Sequence, residues 1–179
     1  MMRTRRAVLL QLAALAALSS AAPAQAGVPD PYAPIVLQPT LGPQRWEFDL
    51  SAALQRARSE KKRLYVYLGA DNCPFCRRYE AFLQRHAAEL APHFAKDYLV
   101  VDLRSTLAAR AERLFIRIDD KVLGYGDFQR SIGDERARQL VYPNVWLLDG
   151  QARPLMQMPS GAGTFETVPE QLEILRLEQ

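Results

Sequence analysis

The chain has few residues of the types that cross-link small proteins or bind metal ions. Among 179 residues there are two cysteines and two histidines. Two cysteines allow one disulfide, which excludes the disulfide networks of small secreted domains. A structural zinc ion needs four ligands, but Cys76 and His86 would stand about 15 Å apart on a single helix. We therefore expect no metal site and no cofactor.

A long apolar run at the N-terminus is also lacking. Residues 7–18 form an apolar stretch of 12 residues, whereas a membrane-spanning helix needs about 20. Arginines at residues 3–6 precede this stretch, and Ala-Gln-Ala at 24–26 follows it. This pattern predicts a secretory signal peptide over residues 1–26, cleaved after about Ala26, and therefore a periplasmic protein. An uncleaved anchor is the alternative, and Sec and twin-arginine export both stay open.

The chain has no excess of basic charge once this segment is removed. Of its 23 basic residues three belong to the segment 1–26, and the remaining 20 balance the 20 acidic residues. A nucleic-acid surface requires clustered basic residues. We therefore expect no nucleic-acid partner, and we expect a monomer.

Proline divides the remaining chain into two parts. Residues 27–44 contain five prolines, which favour extended backbone, so this segment is predicted to be a proline-rich leader. Residues 45–179 have the length of one domain. Within them, residues 104–132 are predicted to be an irregular insertion whose apolar side chains either cap the core or offer a platform for a partner protein.

Strands and helices alternate along the predicted domain. The spacing of apolar residues predicts a helix over 49–62 and a second helix after the cysteines that Pro92 ends or kinks. Apolar runs at 63–69 and 97–103 predict buried strands, and 144–158 predicts a hairpin. Together with a last helix that starts near Pro169, this order predicts an α/β fold with a central mixed sheet and helices on both faces.

The two cysteines stand in the sequence Asn72-Cys73-Pro74-Phe75-Cys76, between a predicted strand and a predicted helix. A disulfide here closes a very small loop and would stabilise the fold little. Pro74 suits the first position of a helix, so Cys73 would lie at the positive end of the helix dipole, which favours a thiolate. Cys76, one turn further and expected to be more buried, could resolve a mixed disulfide on Cys73. We therefore favour the interpretation that Cys73 and Cys76 are a redox pair.

The stretch from Tyr65 to Leu83 resembles the active-site strand, loop and helix of the thioredoxin superfamily, in particular its exported bacterial members. The resemblance implies a thioredoxin-like fold and thiol–disulfide chemistry at Cys73 and Cys76. It also implies that Pro143 is a cis-proline beside the site. Tyr142 and Pro143, with Pro74 and Phe75, would then contact the substrate.

Three residues depart from the pattern of that superfamily. Tyr67 occupies the position of a buried acid six residues before the first cysteine, which moves protons for the resolving thiol. Asn72 replaces a tryptophan, and Tyr142 replaces a threonine or valine. Asp71 lies near the site, but we expect it to face solvent and assign it no proton-transfer role.

The resemblance predicts a periplasmic thiol–disulfide oxidoreductase that reduces rather than oxidises its protein substrates. A membrane electron-transfer partner would supply its electrons. The alternative is a thioredoxin-like adaptor or redox sensor without turnover. The substrate, the electron donor and the direction in the cell stay open from sequence alone.

Overall fold

The computed structural model describes residues 26–133, 139–158, 160–161 and 166–176. Its strands are β1 (Ile35–Leu37), β2 (Thr40–Gly42), β3 (Arg45–Asp49), β4 (Arg63–Asp71), β5 (Tyr98–Thr106), β6 (Leu114–Ile118), β7 (Lys121–Gly124), β8 (Asn144–Leu148) and β9 (Pro154–Gln157). Its α-helices are α1 (Ser51–Glu60), α2 (Pro74–Arg85), α3 (Ala87–Asp97), α4 (Tyr125–Ser131) and α5 (Val168–Arg176).

The main sheet contains five strands in the order β1-β5-β4-β8-β9. Strands β1, β5 and β4 are parallel, whereas β8 runs antiparallel to β4 and β9 runs antiparallel to β8. Helix α1 covers one face, and α2, α3 and α5 cover the other. The predicted mixed sheet, its hairpin edge and the fold class are confirmed.

Strand β4 lies at the centre of this sheet and is buried on both faces. Leu64, Val66 and Leu68 join the apolar cluster on the α1 side. Tyr65 and Tyr67 join the cluster on the side of α2, α3 and α5. The nearly continuous apolar sequence of β4 follows from this position, because a strand covered on both faces has no polar side.

The proline-rich segment 27–44 packs on the domain and is not a separate leader. Val28 and Tyr32 are buried, and β1 pairs with β5. The Tyr32 hydroxyl donates a hydrogen bond to the Leu83 carbonyl oxygen at 2.9 Å, and its ring meets Phe94 edge to face at 5.0 Å between centroids. The prolines permit this packing because none lies within β1: Pro34 precedes the strand and Pro39 follows it, so no N–H donor is missing from its ladder.

The segment 104–132 is regular rather than irregular. It contains the end of β5, followed by β6, β7 and α4, and β6 pairs in parallel with β3. Strands β6 and β7 join β2 and β3 in a second sheet with the order β2-β3-β6-β7. Alternate residues of β6, Leu114 and Ile116, enter the cluster on the α1 side, as do Tyr125 and Phe128 of α4. The segment therefore caps the core.

The helical region after the cysteines divides at His86 rather than at Pro92. His86 has φ −105° and ψ 18° and separates α2 from α3. Pro92 lies inside α3, where it forfeits one helical hydrogen bond. Leu90 and Phe94 on either side of it are buried, and this packing stabilises α3 despite the proline.

Packing of the N-terminal segment predicts a large effect of Tyr32→Ala. We expect this change to lower the free energy of unfolding by about 3 kcal/mol, the usual cost of removing a buried aromatic side chain. Leu41→Ala is the matched control, because Leu41 belongs to the same segment and is 65% exposed. It should change the free energy by less than about 0.5 kcal/mol. Urea unfolding of both variants measures the difference, and equally small effects would show that the segment is not anchored.

Candidate active site

The two cysteines form a disulfide at the start of α2. Strand β4 ends at Asp71, Asn72 turns the chain with φ 60°, and Cys73 is the N-cap of α2. Asparagine tolerates the left-handed conformation, and Pro74 loses no hydrogen bond at the first helical position. The Cys76 N–H donates a hydrogen bond to Cys73 Sγ at 3.1 Å. The helix N-terminus therefore presents a donor and a positive dipole to the Cys73 sulfur.

Neither cysteine is accessible in this disulfide form. Cys73 is 2% and Cys76 1% exposed, so the expected difference in burial between them is not seen. Pro74 and Phe75 are exposed between them, with Phe75 at 41%. The surface of the site is therefore made by the two intervening residues rather than by the sulfurs.

The register of the main sheet places Tyr142 and Pro143 at the end of β4 that leads to the cysteines. Leu68 pairs with Asn144 in the antiparallel ladder, so the two preceding residues lie beside the last residues of β4, just before the cysteines. The Tyr142–Pro143 peptide bond is cis. Tyr142, Cys73 and Cys76 belong to one apolar cluster, which brings the predicted substrate-contact residues to the cysteines' end of the sheet.

The Tyr142 side chain is buried and held across the ends of two strands. Its hydroxyl lies 2.8 Å from Ser105 Oγ on β5, and burial raises the pKa of Tyr142 to about 12. The Pro143 carbonyl oxygen accepts a hydrogen bond from the Gly161 N–H at 2.9 Å. These contacts fix the Tyr142 side chain and the Pro143 backbone beside the site.

A second polar group lies behind the cysteines, around Tyr67. The Tyr67 hydroxyl donates a hydrogen bond to Glu80 Oε1 at 2.9 Å, and burial raises the pKa of Tyr67 well above its usual value. Asp71 is exposed at the end of β4, as expected. Glu80 was not singled out in the sequence, although its position four residues after Cys76 on a predicted helix was a usable signal.

Asp102 is the one fully buried carboxylate among the described residues. It lies directly beside Tyr67 in the neighbouring strand β5. Its Oδ2 accepts hydrogen bonds from the Val28 N–H at 2.9 Å and pairs with Arg104 at 2.8 Å, while Oδ1 has no partner in the described structure. Burial outweighs both contacts and raises the pKa of Asp102 to about 6. Sequence reasoning missed this residue, although a single acid in the apolar run Leu99–Leu103 was visible.

The arginines after Cys76 are surface residues. Arg77 and Arg78 are exposed. The Arg78 guanidinium pairs with Glu166 at 2.8 Å and lies 5.4 Å from the centre of the Phe75 ring. In the described ranges, no group of three or more His, Cys, Asp or Glu side chains is placed to hold a metal ion.

Comparison with known proteins identifies the family. A sequence model described as thioredoxin-like matches residues 45–149, which is more than half of the chain. The chain belongs to the thioredoxin-like family. No curated protein matches it. Among solved structures, the exposed lipoprotein thioredoxin of Streptococcus pneumoniae is similar over 69% of this chain and 89% of its own, with 16% identity and a TM-score of 0.39, which is too distant to support an argument.

Membership in the thioredoxin-like family, together with the paired Cys73 and Cys76, indicates thiol–disulfide oxidoreductase chemistry on protein thiols in general. Across the described part of the chain, none of the helices of this thioredoxin-like protein is long and apolar enough to span a membrane.

The buried Asp102 predicts a stability that falls as the pH rises. Its folded pKa of about 6 lies above the usual 3.8, so the folded state binds the extra proton between about pH 4 and pH 6. Stability is therefore highest below this window and is lost as the pH rises through it. The free energy of unfolding should fall by up to about 3 kcal/mol relative to Asp102→Asn, which carries no titrating group there.

Urea unfolding of the disulfide form at several values between pH 4 and pH 7 measures this difference. Asp71→Asn is the control, since Asp71 is exposed at the end of β4, and its curve should follow that of the wild type. Parallel pH curves for the wild type and Asp102→Asn would contradict the assignment.

Proposed function

We propose that this protein is a periplasmic thiol–disulfide oxidoreductase that exchanges disulfides with protein substrates, in the reducing direction. The observation that carries the proposal is the N-terminal turn of α2, in which Cys73 Sγ accepts the Cys76 N–H at 3.1 Å. A backbone donor and the helix dipole both favour a thiolate at Cys73. The thiolate is the form of cysteine that attacks a disulfide.

The reaction has two exchange steps. The Cys73 thiolate attacks one sulfur of a substrate disulfide, forms a mixed disulfide and releases the other substrate thiolate. Cys76 then attacks Cys73 Sγ, which forms the Cys73–Cys76 bond and releases the second substrate thiolate. The exposed Pro74 and Phe75 provide the surface on which the substrate chain lies. Tyr142 and Pro143 are buried in the disulfide form, so the substrate contacts predicted for them require that they become accessible.

The proposed location follows from the sequence of residues 1–26, of which 1–25 lie outside the described residues. A basic start, a short apolar stretch and Ala-Gln-Ala at 24–26 form a signal peptide that would be cleaved after about Ala26. The mature protein would act as a monomer in the periplasm. Each reduction of a substrate leaves the Cys73–Cys76 pair oxidised. A membrane electron-transfer partner would therefore return two electrons to this pair.

A binding function without turnover is the second candidate. The observation in its favour is that both sulfurs are almost completely buried, which limits attack from solvent. In that case the cysteines would sense redox state, and Phe75 and its neighbours would contact a partner protein without exchanging disulfides. Trapping of substrates separates the two functions.

Cys76→Ser is expected to accumulate mixed disulfides with periplasmic proteins, because no thiol remains to release them from Cys73. Cys73→Ser is the matched control and should trap far less, since it lacks the attacking thiol. Both variants are purified under conditions that block free thiols and compared on gels with and without reductant. Equal absence of thiol-sensitive adducts in both variants would favour the binding function.

The reduction potential of the Cys73–Cys76 pair is expected between about −200 and −270 mV, the range of glutaredoxins and thioredoxin. A helix N-terminus contributes about 2 kcal/mol at most, which lowers a thiol pKa by about 1.5. A strong oxidant needs a thiol pKa near 3.5, about five below free cysteine. The Phe75 side chain has no hydrogen-bond donor to supply the rest. Equilibration with glutathione buffers measures the potential, and a value above about −150 mV would place the protein with the oxidants.

A further inference from the structure

The Tyr67 ring leans along β4 toward the cysteines. A Cβ atom built on Gly69 would lie 2.6 Å from Tyr67 Cε1 and 3.0 Å from its hydroxyl, so the ring lies over Gly69, two residues further along the same face. Only a residue without a side chain leaves this space. The Tyr67 hydroxyl is thereby carried toward the end of β4 that leads to Cys73, where it donates its hydrogen bond to Glu80.

Glu80 lies one helical turn after Cys76 on α2. Residues four apart are neighbours on a helix face, with about 5–6 Å between their Cβ atoms. Side chains of a helix also tilt toward its N-terminus, so the Glu80 side chain extends back over the turn that contains Cys76. Glu80 lines a recess with Gly69, Ala70 and Asp71 at the end of β4, the end of the strand that leads to Cys73.

Glu80 is better placed to serve Cys76 than the other carboxylates in this region. Asp71 is exposed. Asp102 lies beside Tyr67 in the ladder, four residues or about 13 Å before the end of β4. Its Oδ2 contacts Val28 and Arg104, and its Oδ1 has no partner in the described structure. The charged and titratable groups that face Glu80 are Tyr67 and Asp71 from β4, Asp102 and Arg104 from β5, Arg77 from α2 and Asp30 from the N-terminal segment.

We propose that Glu80 accepts the thiol proton of Cys76 in the resolving step and that Tyr67 positions its carboxylate. The proposal rests on the proposed function. As Cys76 Sγ attacks Cys73 Sγ, the proton passes to Glu80 and the Cys73–Cys76 bond forms. The bond between Cys73 Sγ and the substrate sulfur breaks, and its electron pair leaves with the substrate thiolate. The substrate is reduced by two electrons and the cysteine pair is oxidised, and Glu80 returns the proton when the pair is reduced again.

Two-step reaction of the reduced mature protein with 5,5′-dithiobis(2-nitrobenzoate) tests this role. Attack by Cys73 releases one thionitrobenzoate, and resolution by Cys76 releases the second, so the two phases of absorbance report the two steps separately. Glu80→Gln should slow the second phase about 100-fold, the lower range for general acid–base catalysis, and leave the first phase unchanged. Glutamine still accepts the Tyr67 hydrogen bond, so this variant should fold.

A purely electrostatic role of Glu80 predicts the opposite result. Removing a negative charge near Cys76 lowers the pKa of its thiol, so more thiolate forms and the second phase becomes faster. The pKa of Cys76, measured by alkylation in a Cys73→Ser background, should therefore fall in Glu80→Gln while the rate of resolution also falls. A second phase that is unchanged or faster would overturn the proposal.

Three further variants complete the design. Tyr67→Phe should slow the second phase less than Glu80→Gln, since the carboxylate stays but loses its positioning contact, and Glu80→Asp should restore part of the rate. Glu89→Gln, an exposed carboxylate on α3, should change neither phase. If the wild type itself releases no second thionitrobenzoate, both the proposed function and the role of Glu80 are wrong. If it does and Glu80→Gln matches it, only the role of Glu80 is wrong.

Discussion

The hydrogen bond from the Cys76 N–H to Cys73 Sγ places the sulfur of Cys73 at the first turn of α2. It requires that α2 begin immediately after Cys73, and the sequence meets this requirement with two residues. Asn72 takes the left-handed turn that ends β4, and Pro74 starts the helix without losing a donor. A longer connection would move Cys73 away from the helix N-terminus and remove both the donor and the dipole from its sulfur.

The position of this first helical turn depends on strand β4, whose register cannot shift. Strand β4 is buried on both faces, so a change of register by one residue would exchange its two sets of side chains between clusters. The N-terminal segment also contacts the neighbouring strand β5, because the Val28 N–H donates a hydrogen bond to the buried Asp102. The site therefore stands at the end of a fixed scaffold, and its exposed surface is supplied by the short Pro74-Phe75 connection.

The parts that could be predicted from sequence are those fixed by neighbouring residues. The apolar run of β4 and the proline after Cys73 are local signals, and the structure has the strand and helix where they indicate. The burial of Tyr32 depends instead on Leu83, 51 residues away. Local sequence does not show this contact, so the prolines of residues 27–44 suggested a separate leader. Residues 114–118 show strand alternation, but their partner β3 lies far earlier in the chain. The position of Tyr142 beside the cysteines could be predicted only from the resemblance to the thioredoxin superfamily.

The tyrosine at position 67 is explained by the residue opposite it. Asp102 is the Cα partner of Tyr67 in the parallel ladder, and adjacent strands lie about 4.8 Å apart. An acid at position 67 would place two carboxylates side by side in a buried environment, where like charges raise each other's pKa and disfavour ionisation. A tyrosine, neutral because burial raises its pKa, avoids this conflict. Its length also transfers the polar contact from the strand to Glu80 on α2, so position 67 keeps a polar contact with this helix without holding a charge.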